Sequence, residues 1–201
     1  MVPVRADDST NSPTILVLGD SLSAAYGIPL ERSWVNLLAQ RLRDQGYPYR
    51  IVNASTSGET SRGGLDRLTP VLITHRPSIV VVELGANDGL RGLPLEEMAR
   101  NLIAIVKEVH AHGARVLLVS MRLPPNYGPT YNKQFEAVYD RVAAGTRATL
   151  APFLLQGVAG KPEYIQDDGL HPNAESQPLI LENLWPALEP LLSQSARRTA
   201  P

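Results

Sequence analysis

The chain has 201 residues, the length of one domain or two small ones. Its 19 Lys and Arg nearly cancel its 20 Asp and Glu, for a formal net charge of −1, so it lacks the basic excess with which a dedicated nucleic-acid binder neutralises phosphates. A hydrophobic content of 43% supports a real core, and the absence of cysteine excludes a thiol nucleophile, a Cys-ligated zinc and any disulfide framework.

Residues 1–12 read as a polar leader outside the fold. Within it, Val4, Arg5 and Ala6 carry the small or apolar side chains that a signal peptidase favours, without the charged and apolar regions that would precede them. A remnant of an export signal and an ordinary frayed terminus both fit. No apolar run approaches the roughly 18 residues of a membrane-spanning helix, so stable membrane insertion is not expected.

From residue 14 the pattern alternates between short apolar runs and longer amphipathic ones. Residues 14–18, β-branched and Leu-rich and ending at Gly19, predict a strand buried on both faces. Ser33 opens a helical stretch with Trp34, Leu37, Leu38 and Leu42 on one face, closed by Gly46. Residues 50–54 predict a second strand, 61–74 a helix, and 78–84 the clearest strand of the chain. Pro94 suits the first position of a helix, and Leu95, Met98, Ala99, Leu102, Ile105, Val106 and Val109 repeat at helical spacing up to Gly113. A fourth strand follows over 115–119, a loop over 122–131, a helix over 132–149 and a short fifth strand over 153–155. The last helix begins just after Pro172 and Asn173 and runs to about Leu192, with Pro178 and Pro186 as candidate kinks.

Strand followed by helix, repeated four or five times, implies βαβ units: one α/β domain over residues 13–193 with a mostly parallel sheet covered on both faces. Residues 194–201 read as a polar tail. In such sheets ligands lie beyond the carboxyl ends of the strands. Three predicted strands lead into polar clusters: Gly19-Asp20-Ser21-Leu22-Ser23, Asn53-Ala54-Ser55-Thr56-Ser57-Gly58-Glu59-Thr60 and Gly85-Ala86-Asn87-Asp88. A fourth cluster, Asp167-Asp168-Gly169-Leu170-His171-Pro172-Asn173, precedes the last helix.

Brought to one edge, these clusters hold the parts of acyl transfer by an activated serine. Ser21, just past a strand and a glycine, would stand at the sheet edge near a helix N-terminus. His171 can take its proton, because imidazole titrates near neutral pH. By spacing alone, Asp167 or Asp168 can accept the other imidazole N–H and fix the tautomer. The Ser21 and Gly58 backbone N–H groups and the Asn87 amide are candidate oxyanion donors. Asp20 reads as a hydrogen-bond acceptor bracing its loop rather than as an acid. His75, His110 and His112 fall at helix ends and read as structural or solvated. No two histidines share ligand spacing, so no metal is expected.

The four blocks, in this order, resemble those of the SGNH hydrolase family, also called GDSL hydrolases. The similarity runs over residues 14 to about 193 and is closest to the bacterial branch of thioesterases, lysophospholipases and arylesterases. The resemblance implies a flavodoxin-like, three-layer α/β/α fold with a five-stranded parallel sheet. It implies Ser21 as nucleophile, Asp168 and His171 completing a triad, and an oxyanion hole of Ser21, Gly58 and Asn87. It implies no cofactor, a small-molecule acyl ester or thioester as substrate, and a periplasmic or secreted location, with the cytoplasm left open. Asp20, Leu22, Leu123 and Pro124 are expected at the substrate, with Leu90, Leu93 and Tyr127 completing an apolar groove, and a monomer is expected. Two other readings use the same loops: acyl transfer to an alcohol acceptor, and a noncatalytic flavodoxin-like binding module.

Overall fold

Thr14–Gly19 forms β1, and every side chain along it is buried, as a strand covered on both faces requires. The computed structural model describes residues 12–192. The candidate export motif at Val4, Arg5 and Ala6 lies outside them, as do the tail and all of the leader except Ser12.

The remaining strands are β2 (Arg50–Asn53), β3 (Ile79–Glu83), β4 (Arg115–Val119) and β5 (Thr149–Ala151). They form one parallel sheet in the order β2-β1-β3-β4-β5, in register from Ile15 opposite Ile51 and Ile79 to Leu118 opposite Leu150. The helices are α1 (Trp34–Asp44), α2 (Ser61–Asp66), α3 (Leu68–His75), α4 (Ala86–Leu90), α5 (Leu95–Ala111), α6 (Pro129–Thr146) and α7 (Gln177–Leu188). α1 and α7 pack together on one face of the sheet, and α2, α5 and α6 pack side by side on the other. The expected three-layer architecture is the one observed.

Local chemistry explains the boundaries. Ser33 caps α1 by accepting a bond from the Asn36 N–H at 3.3 Å. Past α1, Gly46 takes the left-handed backbone (φ 73°) that lets Tyr47 N–H reach the Leu42 carbonyl, and Gly113 ends α5 in the same way. Pro94 precedes α5 rather than opening it, with extended backbone at its N-cap.

Several boundaries depart from expectation: α6 begins at Pro129 rather than 132, the short helix α4 was not expected, and three further differences have a clear local cause. The helix expected over 61–74 is two, α2 and α3, meeting at Arg67, which lies outside both. The fifth strand lies at 149–151, not 153–155, because left-handed Arg147 (φ 62°) ends α6 early and releases the next residues to pair with β4. The last helix starts later than expected. Asn173 first caps a 3₁₀ turn, Ala174–Ser176, and α7 follows, with Pro178 in its first turn, where a missing N–H costs nothing.

Candidate active site

The four polar clusters meet at the carboxyl edge of the sheet, over the gap between β1 and β3. There the chain leaves β1 for β2 on one side and β3 for β4 on the other, which opens a crevice.

After β1 the backbone runs through successive turns over 21–27, not a helix. The helix N-terminus expected near Ser21 is absent because Ala25 (φ 60°) and Gly27 (φ 71°) adopt left-handed backbone, which no helix continues. The turn is tied down around Ser21. Ala24 N–H bonds the Asp20 carbonyl at 2.9 Å, Asn53 Nδ2 donates to the Ser23 carbonyl at 2.8 Å, and Trp34 Nε1 donates to the Leu22 carbonyl at 3.2 Å.

His171 arrives on a tight loop between Gln166, whose N–H bonds the His171 carbonyl at 2.8 Å, and an antiparallel bridge of Ile165 with Pro172. Gly169 (φ 71°) supplies the sharp bend. Asp168 Oδ1 accepts the N–H groups of Leu170 and His171, both at 2.9 Å, and Oδ2 lies 2.6 Å from His171 Nδ1. Those two backbone N–H groups, His171 first, hold the Asp168 carboxyl down at about 2. On the far side of the ring, His171 Nε2 is 2.9 Å from Ser21 Oγ, across 150 positions of sequence. Spacing left Asp167 and Asp168 open. The fold pairs Asp168 with the imidazole and turns Asp167 toward a neighbouring groove.

Gly58 sits at φ 77°, and its carbonyl accepts a bond from Arg91 Nη2 at 2.7 Å. Asn87, on α4, donates one amide hydrogen to Asp20 Oδ2 at 2.9 Å. Asp20 Oδ1 accepts the Leu22 N–H at 3.0 Å, so both oxygens of this buried side chain are engaged within the protein. Burial pushes the Asp20 carboxyl up to about 6. Asp88 ties two of the loops together: its carboxylate accepts Ser61 N–H at 2.8 Å and Ser61 Oγ–H at 2.5 Å, and Asn101 donates to the same hydroxyl at 3.1 Å.

Ser21, Gly58, Asn87 and His171 line one open cavity of about 270 Å³ together with Asp20, Leu22, Leu90, Leu123 and Pro124. Beyond Leu123 and Pro124 it adjoins a larger groove of about 700 Å³, walled by residues such as Phe153 and Ile165. Leu93 and Tyr127 are not among the lining residues of the first cavity; Leu93 is exposed and Tyr127 donates its hydroxyl to the Leu90 carbonyl. His75, His110 and His112 stay at the ends of α3 and α5.

Four contributors escaped the sequence reading. Tyr26 packs its ring 4.5 Å from the His171 ring, and Gln166 Nε2 donates to the Tyr26 carbonyl at 2.9 Å and to the Pro172 carbonyl at 3.0 Å, lashing the histidine loop to the serine turn. Arg91 and Glu83 are the others. Each is a single charged residue with no periodicity or spacing to mark it.

A hydroxyl, an imidazole and a carboxylate in hydrogen-bonded series, on loops at the carboxyl edge of a parallel sheet, define a hydrolase of the serine type. Residues 17–177 match the GDSL-like lipase/acylhydrolase family, and the chain belongs to it. It is 51% identical over 179 residues to the esterase TesA of Pseudomonas aeruginosa, covering 89% of each chain. It is 42% identical over 183 residues to the thioesterase 1/protease 1/lysophospholipase L1 of Escherichia coli K12, covering 91% of this chain and 86% of that one. Among solved structures, the psychrotrophic esterase EstA from Pseudoalteromonas sp., inhibited by monoethylphosphonate, superposes with a TM-score of 0.85 at 44% identity, over 88% of this chain and 97% of that one.

Proposed function

We propose that this protein hydrolyses carboxylic esters and thioesters through an acyl-enzyme on Ser21, with His171 as base and acid, Asp168 as its orienting partner, and Ser21 N–H, Gly58 N–H and Asn87 Nδ2 as the oxyanion hole. The observation that carries this reading is the hydrogen-bonded series Ser21 Oγ, His171 and Asp168, at 2.9 and 2.6 Å.

Ser21 Oγ attacks the carbonyl carbon while its proton passes to His171 Nε2. The carbonyl oxygen becomes an oxyanion that takes hydrogen bonds from the two backbone donors and from the Asn87 hydrogen that Asp20 does not occupy. The tetrahedral adduct collapses, the alkoxide or thiolate leaves with the proton from His171, and the acyl group stays on Ser21. Water then attacks the acyl-enzyme, gives its proton to His171, and the carboxylic acid departs as Ser21 regains its hydrogen. Asp168 stabilises the transient imidazolium and holds Nδ1 protonated, which leaves Nε2 free to accept.

The acyl chain lies in the cavity walled by Leu22, Leu123 and Pro124, with Asp20 acting through Asn87 and Leu22 rather than on the chain. Aryl esters, acyl-CoA thioesters and lysophospholipids are the substrate classes to compare, and a chain-length series of p-nitrophenyl esters ranks the acyl group. If charged or sugar esters turn over faster than acyl esters of any length, the apolar assignment of the cavity is wrong. Ser21→Ala is expected to abolish turnover, and an organophosphonate is expected to label Ser21 alone. A folded Ser21→Ala protein at parental activity refutes the mechanism.

Among the described residues no helix is long and apolar enough to cross a membrane. The proposed setting is a monomer in the periplasm or outside the cell, following the family resemblance. Sedimentation equilibrium and fractionation of the native host test the two halves of that statement.

A further inference from the structure

Beneath the serine turn lies a second acid that the mechanism above does not use. Glu83, the last residue of β3, is fully buried. Its Oε2 accepts the Ser23 hydroxyl at 2.7 Å and the Asp20 N–H at 3.3 Å, gripping the turn on both sides of Ser21. Its Oε1 is buried without a hydrogen-bond partner. The carboxyl lies so close under the turn that a Cβ on Gly19 would stand 2.7 Å from Oε2, which is why a glycine ends β1. No Lys or Arg pairs with Glu83 or Asp20 among the described residues. The titratable groups facing this layer are Asp20 on the turn, Asp88 on α4, Tyr139 on α6 and His171 on its loop.

Two acids buried in one layer cannot both ionise cheaply. Their partners decide which one does. Asp20 receives donors on both oxygens, from Leu22 N–H and Asn87 Nδ2, whereas Glu83 receives both of its donors on one oxygen and has none on the other. An ionised carboxylate is an acceptor only and wants donors on both oxygens; protonation exchanges one acceptor for an O–H and removes the charge, whose burial without a cationic partner is the larger cost. Burial, with the Asp20 charge next, drives the Glu83 carboxyl well above the usual carboxylate range.

We propose that Glu83 is a positioning residue for the reaction: a protonated acid that fixes the Ser21 turn from below and, by staying neutral, leaves the negative charge of this layer to Asp20, whose carboxylate aims the Asn87 amide. This inference rests on the roles given above to Ser21 and Asn87. It assigns Glu83 no contact with substrate. Its effect runs through Asp20 N–H and Ser23 Oγ to the nucleophile, and through the Asp20 charge to the oxyanion donor.

Glu83→Gln copies the neutral acid, with an acceptor oxygen for the two donors and an amide where Oε1 has no partner. Glu83→Ala, or Glu83→Met should alanine fail to fold, removes the acceptor. Three readouts separate the outcomes: the rate of organophosphonate labelling at Ser21, kcat and KM on a p-nitrophenyl ester from pH 5 to 9, and the infrared band of a protonated carboxyl at pH 7. The parent is expected to show that band and Glu83→Gln to lose it. Glu83→Gln should keep labelling and kcat within about threefold of the parent, with an unshifted acid limb. The acceptor-less variant should lose about tenfold to a hundredfold in kcat and in labelling rate at little change in KM, the scale of a mispositioned reacting group. The proposal is overturned if the band is unchanged in Glu83→Gln, if Glu83→Gln moves the acid limb, or if a folded acceptor-less variant labels at the parental rate. If the parent itself never labels at Ser21, it is the reading of the active site that fails, and the infrared result still reports the state of Glu83.

Discussion

Asp168 offers a sharper test of the triad than deletion of the nucleophile, because two substitutions there should differ in an order that follows from geometry. In Asp168→Asn the amide oxygen takes the place of Oδ1, where two backbone N–H groups at 2.9 Å demand an acceptor. The amide NH2 must then occupy the Oδ2 position, 2.6 Å from His171 Nδ1, and donate to it. That forces the ring hydrogen onto Nε2, the nitrogen that must accept from Ser21. Where the triad carboxylate is buried, this swap costs about 10⁴ in kcat. Here the Asp168 side chain is 38% exposed, so solvent screens its charge and the electrostatic share of the loss shrinks. The tautomer share remains, and the expected loss is about 10²–10³, or roughly 3–4 kcal/mol of activation free energy. Asp168→Ala forces no tautomer and should lose less, about tenfold to a hundredfold, at the cost of a floppier loop. The assay is steady-state hydrolysis of a p-nitrophenyl ester at pH 8, with folding checked by circular dichroism. If the alanine variant is the slower of the two, or if asparagine costs less than tenfold, the Asp168 carboxylate does not set the tautomer of His171.

Three further outcomes follow from the same contacts. Gly58→Ala places a side chain at φ 77° with its Cβ 3.3 Å from Arg91 Nη2, so stability should fall by about 1–2 kcal/mol and kcat should fall as the peptide shifts; an unchanged kcat in a destabilised but folded variant would separate Gly58 from the oxyanion hole. Asp88→Ala strips the Ser61 N–H and hydroxyl of their shared acceptor in a buried site and should cost about 2–3 kcal/mol, read as a drop in denaturation midpoint; a loss under 0.5 kcal/mol would mean the loops hold together without it. Asp20 titrates higher in the folded chain, at about 6, than when unfolded, so its contribution to stability is fully present below about pH 4 and lost as pH rises through about 6. The parent should therefore lose stability relative to Asp20→Asn across that window, and denaturant titrations showing a constant difference from pH 4 to 7 would contradict the assignment.

Much of this was legible in the residues. Continuous apolar runs such as 79–82 mark strands covered on both faces, and their order with intervening helices leaves little choice of topology. The four clusters were legible because each follows a strand or opens the last helix, where parallel geometry collects them. β5 was misplaced because an edge strand of three residues carries no pattern, and a single left-handed residue, Arg147, decides where it begins. The choice of Asp168 over Asp167 depended on which carboxylate the backbone N–H groups of Leu170 and His171 capture, a matter of loop geometry that spacing does not contain. Glu83 was hidden in plain view at the end of a strand, where one polar letter in an apolar run reads as the strand's edge rather than as a buried acid.

The imidazole and its carboxylate sit three residues apart on one small hairpin-like loop, which the Gln166 amide and the Tyr26 ring help to hold against the serine turn. Loss of those contacts would release the pair as an intact unit without breaking any ladder bond of the sheet. Heating or mild denaturant should silence this enzyme first by undocking a lever, well before the protein melts, and cooling should return it to work without refolding.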